Sequence, residues 1–265
     1  MEIYVVKVSD IREDRLNELC LLVDEEKKDK IKKFVNKKDK IRSLVAEILI
    51  RTIIIENLKI NNKYIKFNKN KQGKPYLKNH LNFNFNISHS GEYVLCGIDN
   101  KDIGVDVEEI KNINIIEIAQ NYFTTKEFEY IVSCDVEFQL NRFYEIWTLK
   151  ESYIKCYGQG LSIPLTSFSI EVDQCKNIKV VRNNEYEEHA FKLFDIVQGY
   201  KIAVCSLNKE ISNGIVMLNQ NNLIDKYIKF NLEQMKGWFN DINLFTNNEN
   251  VTIPKNNNIE NTVTL

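Results

Sequence analysis

Two carboxylates two residues apart are the first feature of this sequence that could do chemistry. They lie in the segment Gly104-Val105-Asp106-Val107-Glu108, which alternates as a β-strand does. Residues two apart on a strand point to the same face, so Asp106 and Glu108 project together while Val105 and Val107 face the core. Adjacent carboxylates repel unless a cation lies between them, and oxygen ligands favour Mg²⁺. The alternative is a solvent-exposed edge of an amphipathic strand, which this segment alone slightly favours.

A second polar pair lies in the segment W-T-L-K-E-S-Y-I-K over residues 147–155. The spacing predicts a helix on which Glu151 and Lys155 share a face, because they are four residues apart. The ordinary interpretation is a surface ion pair that adds little stability, and the segment alone favours it. The functional alternative makes Glu151 a third metal ligand or a base, and Lys155 a phosphate contact.

Candidate anion-binding groups occur in the segment F-N-I-S-H-S-G over residues 85–91. His89 stands there between two serines, at a strand end that precedes a glycine turn. Backbone N–H groups together with serine and histidine donors suit an anion. The alternative is a histidine that satisfies the turn by local hydrogen bonding, which is the interpretation we give to His80 and His189.

A lysine-rich run over residues 27–42 is the fourth candidate. Acidic residues and Phe34 are interleaved in it, so a solvated helix face explains most of the run. A few of its residues, joined by Lys74 from the turn over residues 71–75, could bind phosphate. A nucleic-acid role would rest on this run alone, because 36 Lys and Arg against 37 Asp and Glu give a net charge of −1.

Periodic apolar residues predict the elements that must position these groups. One amphipathic helix is predicted over residues 39–57 and another over residues 143–157, which Gly158-Gln159-Gly160 stops. Alternation predicts strands at residues 1–8, 83–87, 93–98, 103–108, 168–172, 179–182 and 200–206. Each half then pairs one long helix with a small antiparallel sheet, which is an α+β fold. The N-terminal half spans residues 1–103, and the C-terminal half, with the metal site, spans residues 104–206.

Residues 207–265 form a C-terminal extension of different character. Apolar residues over 221–244 predict one or two helices, and the Asn-rich stretch after Thr246 is expected to be disordered. No run of about 18 apolar residues predicts a membrane span. The N-terminus lacks a basic segment followed by an apolar one, so we expect no secretory signal and a cytoplasmic protein.

The six cysteines show no C-x-x-C pair and no accompanying histidine cluster. Neither a zinc site nor a disulfide framework is therefore expected. Cys96 and Cys205 lie in apolar strand-like runs, where we interpret them as small buried apolar residues.

Four short segments that follow one another along the chain together resemble motifs of the 4′-phosphopantetheinyl transferases, specifically of the surfactin-type (Sfp-type) branch. Residues 104–108 match that family's G-[IV]-D-[IV]-E motif, and residues 147–155 match W-[ST]-x-K-E-[AS]-x-x-K. Residues 85–90 match F-N-x-S-H-S, and residues 73–75 match the G-K-P turn. The resemblance covers about residues 1–206 and leaves the extension unexplained.

The resemblance implies a pseudo-dimer of two similar α+β halves with coenzyme A bound between them. It implies transfer of phosphopantetheine from coenzyme A to a serine of an apo carrier protein, with release of adenosine 3′,5′-bisphosphate. Asp106, Glu108 and Glu151 would hold Mg²⁺, and Glu151 would also act as the base. The groups implied for the coenzyme A phosphates are Lys30, Arg42, Lys74, Ser88, His89 and Lys155.

The resemblance also bears on partners and on alternatives. The carrier protein is expected to dock on residues 110–124, unless these only pack in the core. The chain is expected to be a monomer, because it contains both halves. Its balanced charge and the lack of a long apolar run lead us to expect that it binds neither nucleic acid nor membrane. One alternative is another Mg²⁺-dependent phosphoryl-transfer or nucleotide-hydrolysing enzyme. The other is an inactive coenzyme A-binding protein of the same fold.

Overall fold

Two helices of 22 residues, each packed on a small sheet, carry the fold. In the computed structural model, which describes residues 1–248, the helices are α1 (Glu13–Cys20), α2 (Glu25–Lys33), α3 (Lys37–Leu58), α4 (Ile115–Tyr122), α5 (Thr125–Val132), α6 (Val136–Tyr157) and α7 (Gln220–Asn248). The strands are β1 (Glu2–Lys7), β2 (Phe67–Lys69), β3 (Pro75–Leu77), β4 (Asn84–Ser90), β5 (Tyr93–Asp99), β6 (Ile103–Glu109), β7 (Phe168–Val172), β8 (Ile178–Arg182), β9 (Glu185–Glu187), β10 (Ala190–Phe194), β11 (Tyr200–Ser206) and β12 (Val216–Asn219). The predicted α+β fold and its two long helices are confirmed.

The main elements stack as four layers: α3, a first sheet, a second sheet and α6. The first sheet has the order β12-β1-β5-β4, and the second has the order β10-β11-β6. Strand alternation divides the core between the layers. In β11, Ala203 and Cys205 pack in the α6 core, whereas Ile202 and Val204 pack in the core between the sheets. Strands β1, β5 and β4 of the first sheet pair antiparallel as predicted, and β12 of the C-terminal extension adds one parallel pair to β1.

The second sheet meets α6 at an unusually short distance at Gly104. A Cβ atom at this glycine would lie 1.9 Å from the backbone oxygen of Ser152 and 2.3 Å from the backbone nitrogen of Cys156. Only glycine therefore allows β6 and α6 to approach this closely. The helix then ends as predicted at Gly158, which has a left-handed φ of 73°.

Three side chains of β4 join the two sheets at their adjacent edges. Asn86 Oδ1 accepts a hydrogen bond from the backbone N–H of Val105 at 2.9 Å. The Ser88 and Ser90 hydroxyls accept from the next two alternate N–H groups of β6, at 3.4 and 3.1 Å. Because these residues alternate along β4, their side chains form a regular link to β6 in place of a backbone ladder.

The extension packs on the N-terminal half. Its strand β12 extends the first sheet, and Leu223, Ile224 and Tyr227 of α7 are buried in the same core as α3. The disorder predicted after Thr246 concerns mainly residues 249–265, which lie outside the described residues. Among the described helices, none has the length and apolar character needed to cross a membrane.

Candidate active site

Asp106 and Glu108 project from β6 toward α6, as the alternation of this strand predicts. Val105 and Val107 point the other way, into the core between the sheets. The alternative of a solvent-exposed strand edge is wrong for Asp106, whose exposed fraction is 2%. A carboxylate buried to this extent needs cationic or hydrogen-bonding partners.

Lys155 and Ser88 supply those partners from α6 and from β4. Lys155 Nζ lies 2.5 Å from Asp106 Oδ1 and donates to the Ser88 hydroxyl at 3.0 Å. The Ser88 hydroxyl in turn donates to the same Asp106 oxygen at 2.8 Å. Lys155 thus contacts Asp106 and not Glu151, so the interpretation as a surface ion pair with Glu151 is wrong. Helix α6, β6 and β4 meet at this point.

Two carboxyl groups at this site, those of Glu108 and Glu151, have raised pKa values. Burial, with the charges of Asp106 and Glu151, raises the pKa of Glu108 to about 6, although the Ser90 hydroxyl and Lys155 oppose the shift. Burial and Asp106 also raise the pKa of Glu151. Carboxylates that raise one another's pKa in this way share a site short of positive charge.

One oxygen of Asp106 is available for a further ligand. Asp106 Oδ2 is buried and has no hydrogen-bond partner in the part of the chain that the structure describes. An unpaired buried carboxylate oxygen is costly, and a divalent cation would satisfy it. The oxygens of Asp106, Glu108 and Glu151 do not all lie within 4.8 Å of one another. A shared cation would therefore require rotation of at least one of these side chains.

A cavity with cationic groups adjoins this cluster on the other face of β4. His89 lines it together with Lys27, Lys30 and Glu47. Lys27 Nζ lies 3.4 Å from Glu47 Oε2, and burial lowers the pKa of Lys27. Burial, assisted by the charges of Arg42, Lys155 and Lys27, lowers the pKa of His89. The ammonium groups of Lys27 and Lys30 and the imidazole of His89 can donate hydrogen bonds to phosphate oxygens, and the carboxylates of Asp24, Glu26 and Glu47 line the same cavity.

Comparison with known proteins assigns the chain to a family. A model described as "4'-phosphopantetheinyl transferase superfamily" matches residues 102–205, and one described as "4'-phosphopantetheinyl transferase, N-terminal" matches residues 11–99. The chain is 38% identical to the 4'-phosphopantetheinyl transferase gsp of Aneurinibacillus migulanus, over 80% of this chain and 89% of that protein. The chain belongs to the 4′-phosphopantetheinyl transferase superfamily. The resemblance inferred from the four sequence motifs is confirmed.

A second curated relative shows the same relation. The 4'-phosphopantetheinyl transferase Sfp of Bacillus subtilis (strain 168) is 33% identical, over 76% of this chain and 90% of that protein. Among solved structures, a holo-(acyl-carrier-protein) synthase from Bacillus anthracis str. Ames in complex with CoA is 18% identical. Its TM-score is 0.32, over 41% of this chain and 96% of that one.

The structure of this transferase does not bring two of the predicted phosphate contacts to the cavity. Arg42 Nη1 donates to the backbone oxygen of Gly91 at 2.5 Å, and its side chain lines a neighbouring cavity. Lys74 Nζ donates to the backbone oxygens of Ile103 and Cys156, at 3.2 and 3.1 Å. The other predicted residues lie in the cavity or in the carboxylate cluster described above.

Two residues of the candidate site were missed by sequence reasoning. The Ser90 hydroxyl donates to Glu108 Oε2 at 2.8 Å, just as Ser88 donates to Asp106. The signal was present, because Ser88 and Ser90 share a face of β4 and the carboxylates share a face of β6. Lys27 was one of many lysines in its run, and no local pattern separates it from Lys28.

Proposed function

We propose that this protein transfers the 4′-phosphopantetheine group of coenzyme A to a serine of an apo carrier protein, with Mg²⁺ as cofactor. Membership of the transferase superfamily supports the reaction class. The observation that carries the site assignment is the meeting of Asp106, Glu108, Glu151 and Lys155 where β4, β6 and α6 adjoin. Carboxylates and a lysine in this arrangement suit phosphoryl-group transfer.

The residues present fit Mg²⁺. Asp106, Glu108 and Glu151 provide oxygen donors only, as this hard cation prefers. The buried oxygen of Asp106 that lacks a partner supports an ion at this position. Bound there, Mg²⁺ would polarise the pyrophosphate of coenzyme A and neutralise charge on the leaving group.

Side chains of the protein carry out proton transfer and charge stabilisation in the transfer step. The acceptor serine oxygen forms a bond to the pantetheine phosphorus, and the bond from that phosphorus to the bridging oxygen breaks. Adenosine 3′,5′-bisphosphate leaves with the electron pair. Glu151 takes the serine proton, directly or through a water molecule, and its raised pKa makes it a better acceptor. Lys155 stabilises the developing charge, and Lys30 and His89 hold phosphate oxygens in the adjoining cavity.

The carrier protein is proposed to dock beside α4. Within the predicted platform, Ala119 and Phe123 are buried and belong to the α6 core, whereas Ile113 and Tyr122 are 40% and 54% exposed. Core packing thus accounts for the first pair and leaves the second for a partner. Peptidyl and polyketide carrier domains are the proposed substrates. A monomeric state and a cytoplasmic location stay predictions.

Intact-protein mass spectrometry of an apo carrier protein tests the reaction. After incubation with the enzyme, coenzyme A and Mg²⁺, the carrier should gain one phosphopantetheine, and EDTA should prevent the gain. Asp106→Asn should abolish it, whereas Asp173→Asn, at an exposed position, should not. Release of adenosine bisphosphate without a modified carrier would instead support a nucleotide-hydrolysing enzyme. Coenzyme A binding with neither product would support an inactive binding protein.

A further inference from the structure

Two cysteines and a histidine from three separate elements meet outside the carboxylate cluster of the proposed transferase site. Cys156 lies on α6, Cys205 on β11, and His189 directly before β10. One ligand atom of each lies within 4.8 Å of the other two. Among the side chains that the structure describes, this is the one group of three histidine, cysteine or acidic residues that meets so closely.

The fold fixes the position of this cluster but leaves one nitrogen of His189 without a hydrogen-bond partner among the described residues. The His189 side chain is 7% exposed, and the nitrogen concerned is Nδ1. Its ring packs edge-on against Tyr153, with ring centres 5.1 Å apart. The Tyr153 hydroxyl donates to Glu187 Oε2 at 2.7 Å, which places a carboxylate beside the histidine. A buried imidazole nitrogen without a partner is costly and points to a missing ligand.

Gly104 explains why the two thiols are neighbours. This glycine is the register partner of Cys205 in the second sheet, and it lies against the backbone of Cys156. The close approach of β6 and α6 therefore sets Cys156 over Cys205. The cysteines are far apart in sequence, so no C-x-x-C spacing announces the cluster.

We propose that Cys156, His189 and Cys205 bind one Zn²⁺ ion, with the Glu187 carboxylate as the fourth ligand. Thiolate and imidazole ligands select zinc over the hard cation proposed for the carboxylate cluster. Zinc bonds of about 2.0–2.3 Å at tetrahedral angles put neighbouring ligand atoms about 3.3–3.8 Å apart, so the cluster needs to contract only by side-chain rotation. Glu187 Oε2 lies 3.7 Å from His189 Nδ1 but outside the group of mutually close ligand atoms, so the Glu187 carboxylate must turn toward the thiols to complete the site.

Zinc binding must release the two thiol protons. The Cys156 thiol donates to the backbone oxygen of Asp102 at 3.3 Å, and this hydrogen bond is given up when the thiol proton leaves. Burial raises the pKa of the Cys205 thiol, whereas the charge of nearby Lys74 lowers it. Each thiolate then bonds to zinc. The ion would tie the end of α6, which carries Glu151 and Lys155, to β10 and β11.

Metal analysis of the full-length protein tests the proposal. Protein freed of metal by a chelator under reducing conditions, then dialysed against Zn²⁺, should hold one zinc ion per chain that resists washing. Cys205→Ser and His189→Ala should lose it. Cys96→Ser should keep it, because Cys96 is an equally buried strand cysteine outside the cluster. Zinc content in Cys205→Ser equal to that of the parent would overturn the proposal.

Cobalt titration of the parent protein covers the case in which a variant fails to fold. Co²⁺ in this site should give a thiolate-to-cobalt charge-transfer band and intense tetrahedral visible bands. Co²⁺ bound only to the carboxylate cluster would give neither, and that result would refute the zinc site. A Cys156–Cys205 disulfide that forms in air, with no metal bound after reduction, would also refute it.

Discussion

Replacement of Lys150 by methionine should destabilise the protein strongly, although this lysine does not face the proposed active site. Its side chain is completely buried between α6, α5 and β7. Lys150 Nζ donates to both carboxylate oxygens of Glu127, at 2.6 and 2.8 Å, and to the backbone oxygen of Phe168 at 2.9 Å. All three ammonium donors are thereby used.

The loss of stability would arise from Glu127, which would stay buried without its positive partner. Glu127 also accepts hydrogen bonds from the backbone N–H groups of Ile170 at 2.7 Å and Thr124 at 2.9 Å, so its charge has a fixed position in the interior. Removing one member of a buried pair costs about 3–5 kcal/mol, because the other charge stays buried without compensation. That is a large part of a typical unfolding free energy of about 5–15 kcal/mol.

The charge explanation makes a second prediction for the double variant. Burial lowers the pKa of Lys150, which shows that desolvation works against this pair even with Glu127 beside it. Lys150→Met combined with Glu127→Gln should therefore be more stable than Lys150→Met alone. A purely steric role for Lys150 predicts no such recovery.

Urea denaturation followed by far-ultraviolet circular dichroism measures these differences. Lys126→Met is the matched control, because Lys126 forms a 3.0 Å ion pair with Glu171 at the surface, also between α5 and β7. It should leave the unfolding midpoint nearly unchanged. A midpoint for Lys150→Met equal to that of Lys126→Met would refute the argument.

Four further predictions concern the carboxylate site and the strand β6 that carries it. Ser88→Ala removes a hydrogen bond that orients Asp106, so the Mg²⁺ concentration for half-maximal turnover should rise about 10–100-fold in a metal titration. Since the pKa of Glu108 is raised to about 6, a proton competes with the ion, and apparent Mg²⁺ affinity should fall as the pH drops through this value. Glu108→Gln should flatten that dependence. The same shift means that the metal-free fold loses stability as pH rises from about 4.5 to about 6. Gly104→Ala should lower both thermal stability and turnover, because its Cβ would meet the backbone of α6 at 1.9 Å, whereas Gly214→Ala, with its nearest atom at 3.8 Å, should do neither.

Local periodicity explains why much of the site could be predicted. Asp106 and Glu108 face the same way because any strand alternates, and Glu151 and Lys155 share a face because any helix repeats. These relations need no knowledge of the fold. Which partner Lys155 contacts does depend on the fold, and the structure joins it to Asp106 and not to Glu151.

Relations between distant segments could not be predicted in this way. Cys156, His189 and Cys205 meet only because of strand register and the close helix contact at Gly104. Lys74 follows a glycine turn that fits the expected motif, yet backbone oxygens of two other elements hold its ammonium group. The parallel strand β12 forms because the chain returns from β11, the central strand of the second sheet, to the edge of the first sheet. Tertiary packing decides each of these features.

The site depends on both halves because its ligands and their hydrogen-bond donors lie on opposite sides of the predicted boundary at residues 103 and 104. Asp106 and Glu108 come from β6, whereas the hydroxyls that orient them, Ser88 and Ser90, come from β4. The same two hydroxyls also accept backbone N–H groups of β6, so one set of side chains joins the sheets and aligns the carboxylates. A displacement of one half relative to the other would therefore disturb Asp106 and Glu108 before it exposed the apolar core.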